Sequence, residues 1–285
     1  MSKEKGGSQS RDVIRRLRKN KLAMTGLIIL LLLIAASLLA PWIAPYGYDD
    51  QDVTRRFLSP CPEFWMGTDS LGRDIFSRVL YGGRISLMVG ILATGSSAVI
   101  GIILGAIAGY FGGKRDNVIM RALDVLMAMP QILLAIAIAA TLGTGVRNAV
   151  IAVSVANVPR FARVVRAPIL AQRNQEYIEA AVAVNAKDQR IIFRHILPNV
   201  MAPIIVEVTL GVGIAIISTA GLSFLGLGVQ PPVPEWGAML SAGRQYIRDY
   251  WHVVTFPGIA IMLTVFSLNV FGDGLRDALD PRLKN

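Results

Sequence analysis

The sequence predicts an all-α membrane protein of about six transmembrane helices, with both termini on the cytoplasmic side. Three observations carry that prediction. Of 285 residues, 53% are hydrophobic and only 17% are charged. The charges cluster between long apolar runs instead of alternating with apolar residues. The basic residues fall mostly on one side of the resulting topology.

A helix needs about 20 apolar residues to cross roughly 30 Å of hydrocarbon. Residues Leu22–Ala44, Ile85–Gly113, Val125–Val146 and Val253–Gly272 each run without a charge, and Pro198–Leu222 is interrupted only by Glu207. The fourth span follows Arg147 and stays uncharged only as far as Pro159. Its arginines Arg160, Arg163 and Arg166 are expected to snorkel toward the headgroups. The cytoplasmic pieces of this topology hold 21 of the 29 Lys and Arg residues, which sets N-in/C-in.

The chain then divides into a basic tail (1–21), a first helix (22–44), an extracytoplasmic loop (45–84), a five-helix core (85–275) and a cytoplasmic end (276–285). Leu22–Ala44 is longer than a signal-peptide core and no A-x-A site follows it, so it is expected to stay as an uncleaved span. The net charge of +10 reads as topology signal and contact with membrane lipids. No basic stripe with interleaved aromatics supports a nucleic-acid partner. Cys61, the one cysteine, cannot make an intrachain disulfide.

Within the loop, Ile75, Phe76, Val79 and Leu80 share one helical face and Arg73, Asp74 and Arg78 the other. That pattern predicts a helix lying in the outer interface. In the second span Gly101, Gly105 and Gly109 recur every four residues, a small-xxx-small row that lets two backbones pack closely. Met129-Pro130-Gln131 should kink the third span, because proline removes a backbone donor.

The polar stretch 170–199 lies between two apolar segments on the cytoplasmic side. Gln172–Val184 and Lys187–Leu197 both read as helical, with Asn185 at the break, where a left-handed turn costs Asn less than most residues. Pro198 suits the first turn of the next span. Ala180, Ala181 and Ala183 beside Glu179 leave a small-residue surface that another protein can approach closely. Glu207 falls about nine residues into the fifth span, roughly 14 Å deep. An intramembrane carboxylate there either lines a pathway or pairs with an interior donor.

The 170–199 stretch resembles the EAA loop of ABC-importer permeases: Glu179-Ala180-Ala181, a turn at Asn185, then Ile196-Leu197-Pro198. Other strings extend the likeness over almost the whole chain. They are Gly67-Thr68-Asp69-Ser70-Leu71-Gly72-Arg73-Asp74, Met120-Arg121-Ala122-Leu123-Asp124, Leu222-Ser223-Phe224-Leu225-Gly226-Leu227-Gly228, Trp236-Gly237-Ala238-Met239-Leu240 and Phe271-Gly272-Asp273-Gly274 through Arg282. On these residues the chain resembles the C-type membrane subunit of the dipeptide/oligopeptide/nickel group of ABC importers. It departs from the group's usual pattern at Asn185, which replaces a glycine, and at Thr219, which replaces a frequent Glu.

The resemblance implies the type I ABC-importer transmembrane fold and half of a translocation pathway, with Glu207 and Thr219 as pathway candidates. Glu179, Ala180, Ala181, Asn185, Ile196, Leu197 and Pro198 would form the loop that receives motion from an ATPase. The implied partners are a second homologous permease, two ATP-binding subunits or domains and an extracytoplasmic solute-binding protein docking on surfaces that include 231–251. The expected location is the cytoplasmic membrane of a bacterium or archaeon. No Gly-x-x-x-x-Gly-Lys-[Ser/Thr] string, nucleophile motif or metal cluster is present, so no cofactor is expected in this chain and ATP and Mg would belong to its partners. His195 is expected to pack on the loop. Two alternatives stay open: an ion-coupled secondary transporter using Glu207, or the same ABC architecture carrying nickel or another solute. A structural scaffold comes third.

Overall fold

The computed structural model describes residues 5–279, with side chains from Arg11 onward. The tail residues 1–4 and the end of the cytoplasmic segment, 280–285, lie outside the described residues. Twelve helices follow one another: α1 (Lys5–Lys19), α2 (Lys21–Leu38), α3 (Ala40–Ile43), α4 (Ile75–Phe111), α5 (Gly113–Met127), α6 (Gln131–Leu142), α7 (Val146–Gln172), α8 (Glu176–Ala183), α9 (Asp188–Arg190), α10 (Met201–Phe224), α11 (Trp236–Gly243) and α12 (His252–Leu279). Between α9 and α10 the chain stays helical, as a π turn at Ile191–Ile196 and a 3-10 turn at Leu197–Val200. Among the described residues no strand forms beyond an isolated Thr68–Asp74 bridge.

Four helical segments are long and apolar enough to span a membrane: α2, α4, Asp188–Phe224 and α12. The third expected span is not one straight helix. Pro130 separates α5 from α6, and the pair bends by 85°. The break fits proline's missing donor and its restriction of Met129 to extended backbone. Counted as one, the bent pair makes a fifth span. α7, the weakest of the six expected spans, is 27 residues and about 40 Å long, but its arginines leave it outside the segments that are apolar enough to qualify.

Residues 75–84 form no separate interfacial helix. They are the first turns of α4, a continuous helix of 37 residues and about 55 Å that outruns the hydrocarbon by several turns. Arg73 and Arg78 are correspondingly buried rather than spread on a polar face. Arg73 Nη2 lies 2.8 Å from Asp69, and Arg78 donates to the Tyr48 carbonyl at 2.7 Å. Asp74 caps the helix by accepting from the Ser77 backbone N–H at 2.7 Å. The outer loop is thus folded onto the top of α4. Glu235 and Trp236 fasten the other outer segment there: Trp236 Nε1 donates to the Val79 carbonyl at 2.9 Å, and the fully buried Glu235 accepts from Gly237 and Ala238 to start α11.

The core of the bundle is the α4–α7 contact. Gly101, Gly105 and Gly109 are all buried. A Cβ at Gly105 would sit 2.5 Å from the Ala162 carbonyl oxygen, and one at Gly109 would sit 2.9 Å from Ile169 Cγ2. At Gly101 it would collide with Phe161. The glycine row therefore faces Phe161, Ala162, Val165 and Ile169, and bare backbone is what permits the approach. α2 stays peripheral, with Leu31 and Leu32 exposed and contact made through Ala23, Gly26 and Ser37.

The seam predicts opposite signs for one substitution. Gly105→Ala overpacks it and should destabilise the detergent-purified protein by about 1–3 kcal/mol. Gly95→Ala, on the same helix with nothing within 4 Å of the added carbon, should be neutral or slightly stabilising. Thermal unfolding of the two variants beside wild type checks both signs.

Candidate functional site

The cytoplasmic loop folds as a helical hairpin whose geometry follows from its side chains. Ile178 is 2% exposed and anchors α8 in a cluster with Ala106 of α4, Val165 and Ile169 of α7, and Ile191, Ile196, Leu197, Val200 and Ile204. The opposite face of α8 carries Glu176, Glu179, Ala180 and Ala183, all exposed, followed by Val184. Ala181 differs from the expected small-residue surface. It is half-buried and packs inward beside the Ile178 cluster.

Asn185 takes the turn with φ +56°. The Asn185 N–H donates to the Val182 carbonyl at 2.8 Å and the Ala186 N–H to Ala181 at 3.1 Å. This pair of bonds is the Schellman arrangement, which ends a helix with one left-handed residue. Ile196 and Leu197 are buried in the cluster, whereas Pro198 is exposed. His195 is half-buried along a groove lined by Tyr177, Ala180, Val184, Asn185 and Lys187. Tyr110 at the end of α4 donates to Asp188 at 2.8 Å, a second tie between the hairpin and the bundle.

Arg160, Arg163 and Arg166 of α7, the arginines expected to snorkel, each face a carboxylate on another helix. Arg166 makes a two-bond contact with Asp116 of α5, 2.6 Å for each bond, and Arg163 reaches Asp124 of α5 at 2.5 Å. Arg160 Nε lies 2.5 Å from Glu207 Oε1 on α10, and its Nη2 donates to Oε2 at 3.4 Å. Above them Gln131 at the start of α6 donates to Asn157 of α7 at 2.9 Å. One polar stripe thus runs down α7 and joins it to α5, α6 and α10. Glu207 thus has an interior partner in Arg160. Thr219 is 1% exposed, its hydroxyl donates to the Ala215 carbonyl at 2.9 Å, and it reaches no surface of the protomer. The pairs escaped sequence reasoning because their partners lie 39 to 50 positions apart. The one signal was that charged residues of both signs interrupt otherwise apolar runs.

The profile of the family described as the inner membrane component of binding-protein-dependent transport systems matches residues 101–285. The chain belongs to that family. The profile of the N-terminal transmembrane domain of oligopeptide transport permease C matches residues 8–60 of the same permease. The permease is 50% identical over 275 residues to a dipeptide transport system permease protein, DppC, of Alkalihalophilus pseudofirmus, covering 96% of this chain and 90% of that one. It is 45% identical to a di/tripeptide transport system permease protein of Pseudomonas aeruginosa, with 93% and 90% covered. It is 50% identical to a glutathione transport system permease protein, GsiD, of Escherichia coli, with 95% and 89% covered.

Among solved structures the MetNI methionine ABC transporter in an inward-facing conformation shares the fold. The TM-score is 0.58 at 18% identity, over 71% of this chain and 96% of that one. The permease is therefore a multi-pass membrane protein with the ABC-importer transmembrane fold.

The anchor and the tip of the hairpin should respond differently to truncation. Ile178→Ala leaves a cavity in the Ile191–Ile196 cluster and should cost about 2–4 kcal/mol, read as faster amide exchange across 176–200. Val184→Ala, at an exposed position, should leave exchange unchanged. Asn185→Val forces a β-branched residue into the left-handed region and should unseat the turn, whereas Asn185→Gly should preserve it.

Proposed function

We propose that this permease forms half of the translocation pathway of an ATP-driven importer of short peptides. The observation that carries the proposal is that the relatives at 45–50% identity span nearly the full chain and are named for dipeptides, di/tripeptides and glutathione. Glutathione is itself a tripeptide, so all three names share one chemistry: a short peptide ending in a free carboxylate.

The permease works with a second homologous permease, two ATP-binding subunits and an extracytoplasmic solute-binding protein. It is not itself an enzyme. ATP and Mg are held by the ATP-binding subunits, and this chain contributes the surface that feels their closure. Glu179, Ala180 and Asn185 present that surface, and Ala181, Ile196 and Leu197 hold it to the bundle, with Pro198 leading into α10.

Movement of α8 passes through Ile178 into Val165 and Ile169 of α7 and Ala106 of α4. The α4–α7 seam then carries these helices together, and the bundle shifts between two arrangements that the nucleotide state favours differently. The ion-coupled alternative has little left to stand on, since the carboxylate it needs is engaged by Arg160.

Reconstituting the permease with its partner subunits in proteoliposomes tests this. ATP-dependent uptake of a labelled dipeptide is expected, with none driven by an ion gradient alone. Glu179→Arg should reduce uptake and binding-protein-stimulated ATP hydrolysis at least about tenfold while the variant still inserts. Gradient-driven uptake without ATP would replace this reading with the ion-coupled one.

A further inference from the structure

The Arg160–Glu207 pair lies where a charge is hard to place. Arg160 is fourteen residues into α7, about 21 Å from its outer end, and Glu207 is six residues into α10, about 9 Å from its inner end. Both positions put the pair in the cytoplasmic half of the bundle. The two side chains are not equally hidden. Glu207 is 11% exposed, while Arg160 is 39% exposed. A guanidinium presented to acyl chains at that depth costs several kcal/mol, so the face of α7 bearing Arg160 borders water or protein rather than lipid.

Polar groups continue in both directions from Arg160, through the buried Asn157 of α7 bonded to Gln131 of α6 and through Arg163 and Arg166 toward the cytoplasm. Glu207 engages Nε and Nη2 of Arg160 only. Three of the five guanidinium N–H donors therefore have no partner among the described residues. Their planar fork matches a carboxylate.

We infer that Arg160, oriented by Glu207, is a contact for the terminal carboxylate of the peptide as it passes the inner half of the pathway. The inference rests on the peptide-importer reading and adds to it a residue and a ligand group. Arg160 touches the substrate, and Glu207 is a positioning residue. Glu207 holds the guanidinium against α10 and offsets its charge, so that a carboxylate is met without being trapped. Arg163 and Arg166 are less suited to the task, because Asp124 and Asp116 take them near the membrane surface, Asp116 with two short bonds.

The test uses the complete transporter in proteoliposomes and compares ATP-driven uptake of one dipeptide as free acid and as C-terminal amide. Discrimination by the binding protein is common to wild type and variants, so it cancels in the ratio of ratios. Arg160→Gln should lower the acid-to-amide preference by about tenfold, the scale of one charge-assisted contact. Arg160→Lys should retain part of it. The double exchange Arg160→Glu with Glu207→Arg rebuilds the pair with the opposite sign toward the route and should also lose the preference while the complex assembles. Glu207→Asp should restore more of the preference than Glu207→Gln.

An unchanged ratio in Arg160→Gln or in the double exchange overturns the inference while leaving the importer intact. Loss of the assembled complex in all Arg160 variants, on co-purification, would assign the pair to subunit packing and overturn it equally. Failure of wild type to take up either peptide with ATP would instead sink the peptide-importer reading itself.

Discussion

The structure depends on how closely α4 approaches α7. In a bilayer the lipid tails are as apolar as leucine, so helices gain little from hiding hydrophobic surface from one another. What remains is dispersion at short range and satisfied polar groups. Gly101, Gly105 and Gly109 provide the first by removing every side chain from one stripe of α4, so that Phe161, Ala162, Val165 and Ile169 of α7 rest on backbone. Because those α7 residues lie one turn or less apart, the contact extends through the cytoplasmic half of both helices. Its lower end meets the Ile178 cluster, where the hairpin is rooted. The hairpin is thus rooted at the cytoplasmic end of that backbone contact.

Polar satisfaction is the second requirement, and α7 meets it by pairing. Three arginines in successive turns would make a poor membrane helix alone. Each is balanced by a carboxylate from α5 or α10, so that charges which weaken the helix as an isolated span become its cross-links within the bundle. Such pairs add little net stability compared with apolar packing of the same volume, but removing the arginine leaves Asp116 or Glu207 as a buried, poorly solvated charge. They specify which helices lie together more than how strongly they are held. The same logic governs the outer surface, where Asp69, Arg73, Arg78 and Glu235 are buried and bonded at the top of α4.

Much of this is legible in the residues because it is local. The glycine spacing announces a helix face, Pro130 announces the break between α5 and α6, and Asn185 announces a left-handed turn that the hydrogen bonds around Val182 and Ala186 complete. The features that escape are those set by distant partners. Arg73 and Arg78 look like the wet face of an interfacial helix because nothing nearby in sequence shows that the outer loop folds over them. Gly82, Gly83 and Arg84 look like a span boundary, yet α4 runs through them, since Trp236 and Ser37 pack where side chains would otherwise stand. Ala181 shares its composition with Ala180 and Ala183 but not their direction, which the position of Ile178 decides.

The two halves of the polypeptide's task therefore use different chemistry. The hairpin is coupled to the bundle through apolar contacts, which tolerate small slides without breaking. The polar stripe of α7 is joined to α5 and α10 through ion pairs, which are directional and distinguish one helix arrangement from another. A displacement entering at Ile178 reaches Val165 and Ile169 first, and the arginines on the next face of the same helix cannot stay still when those residues move. Any change in the tilt of α7 must then be shared by α5 and α10 or be met by exchange of partners at Asp116, Asp124 and Glu207. Backbone contact on one face of α7 and directional ion pairs on the others mean that a shift of this one helix cannot leave α4, α5 or α10 where they stood.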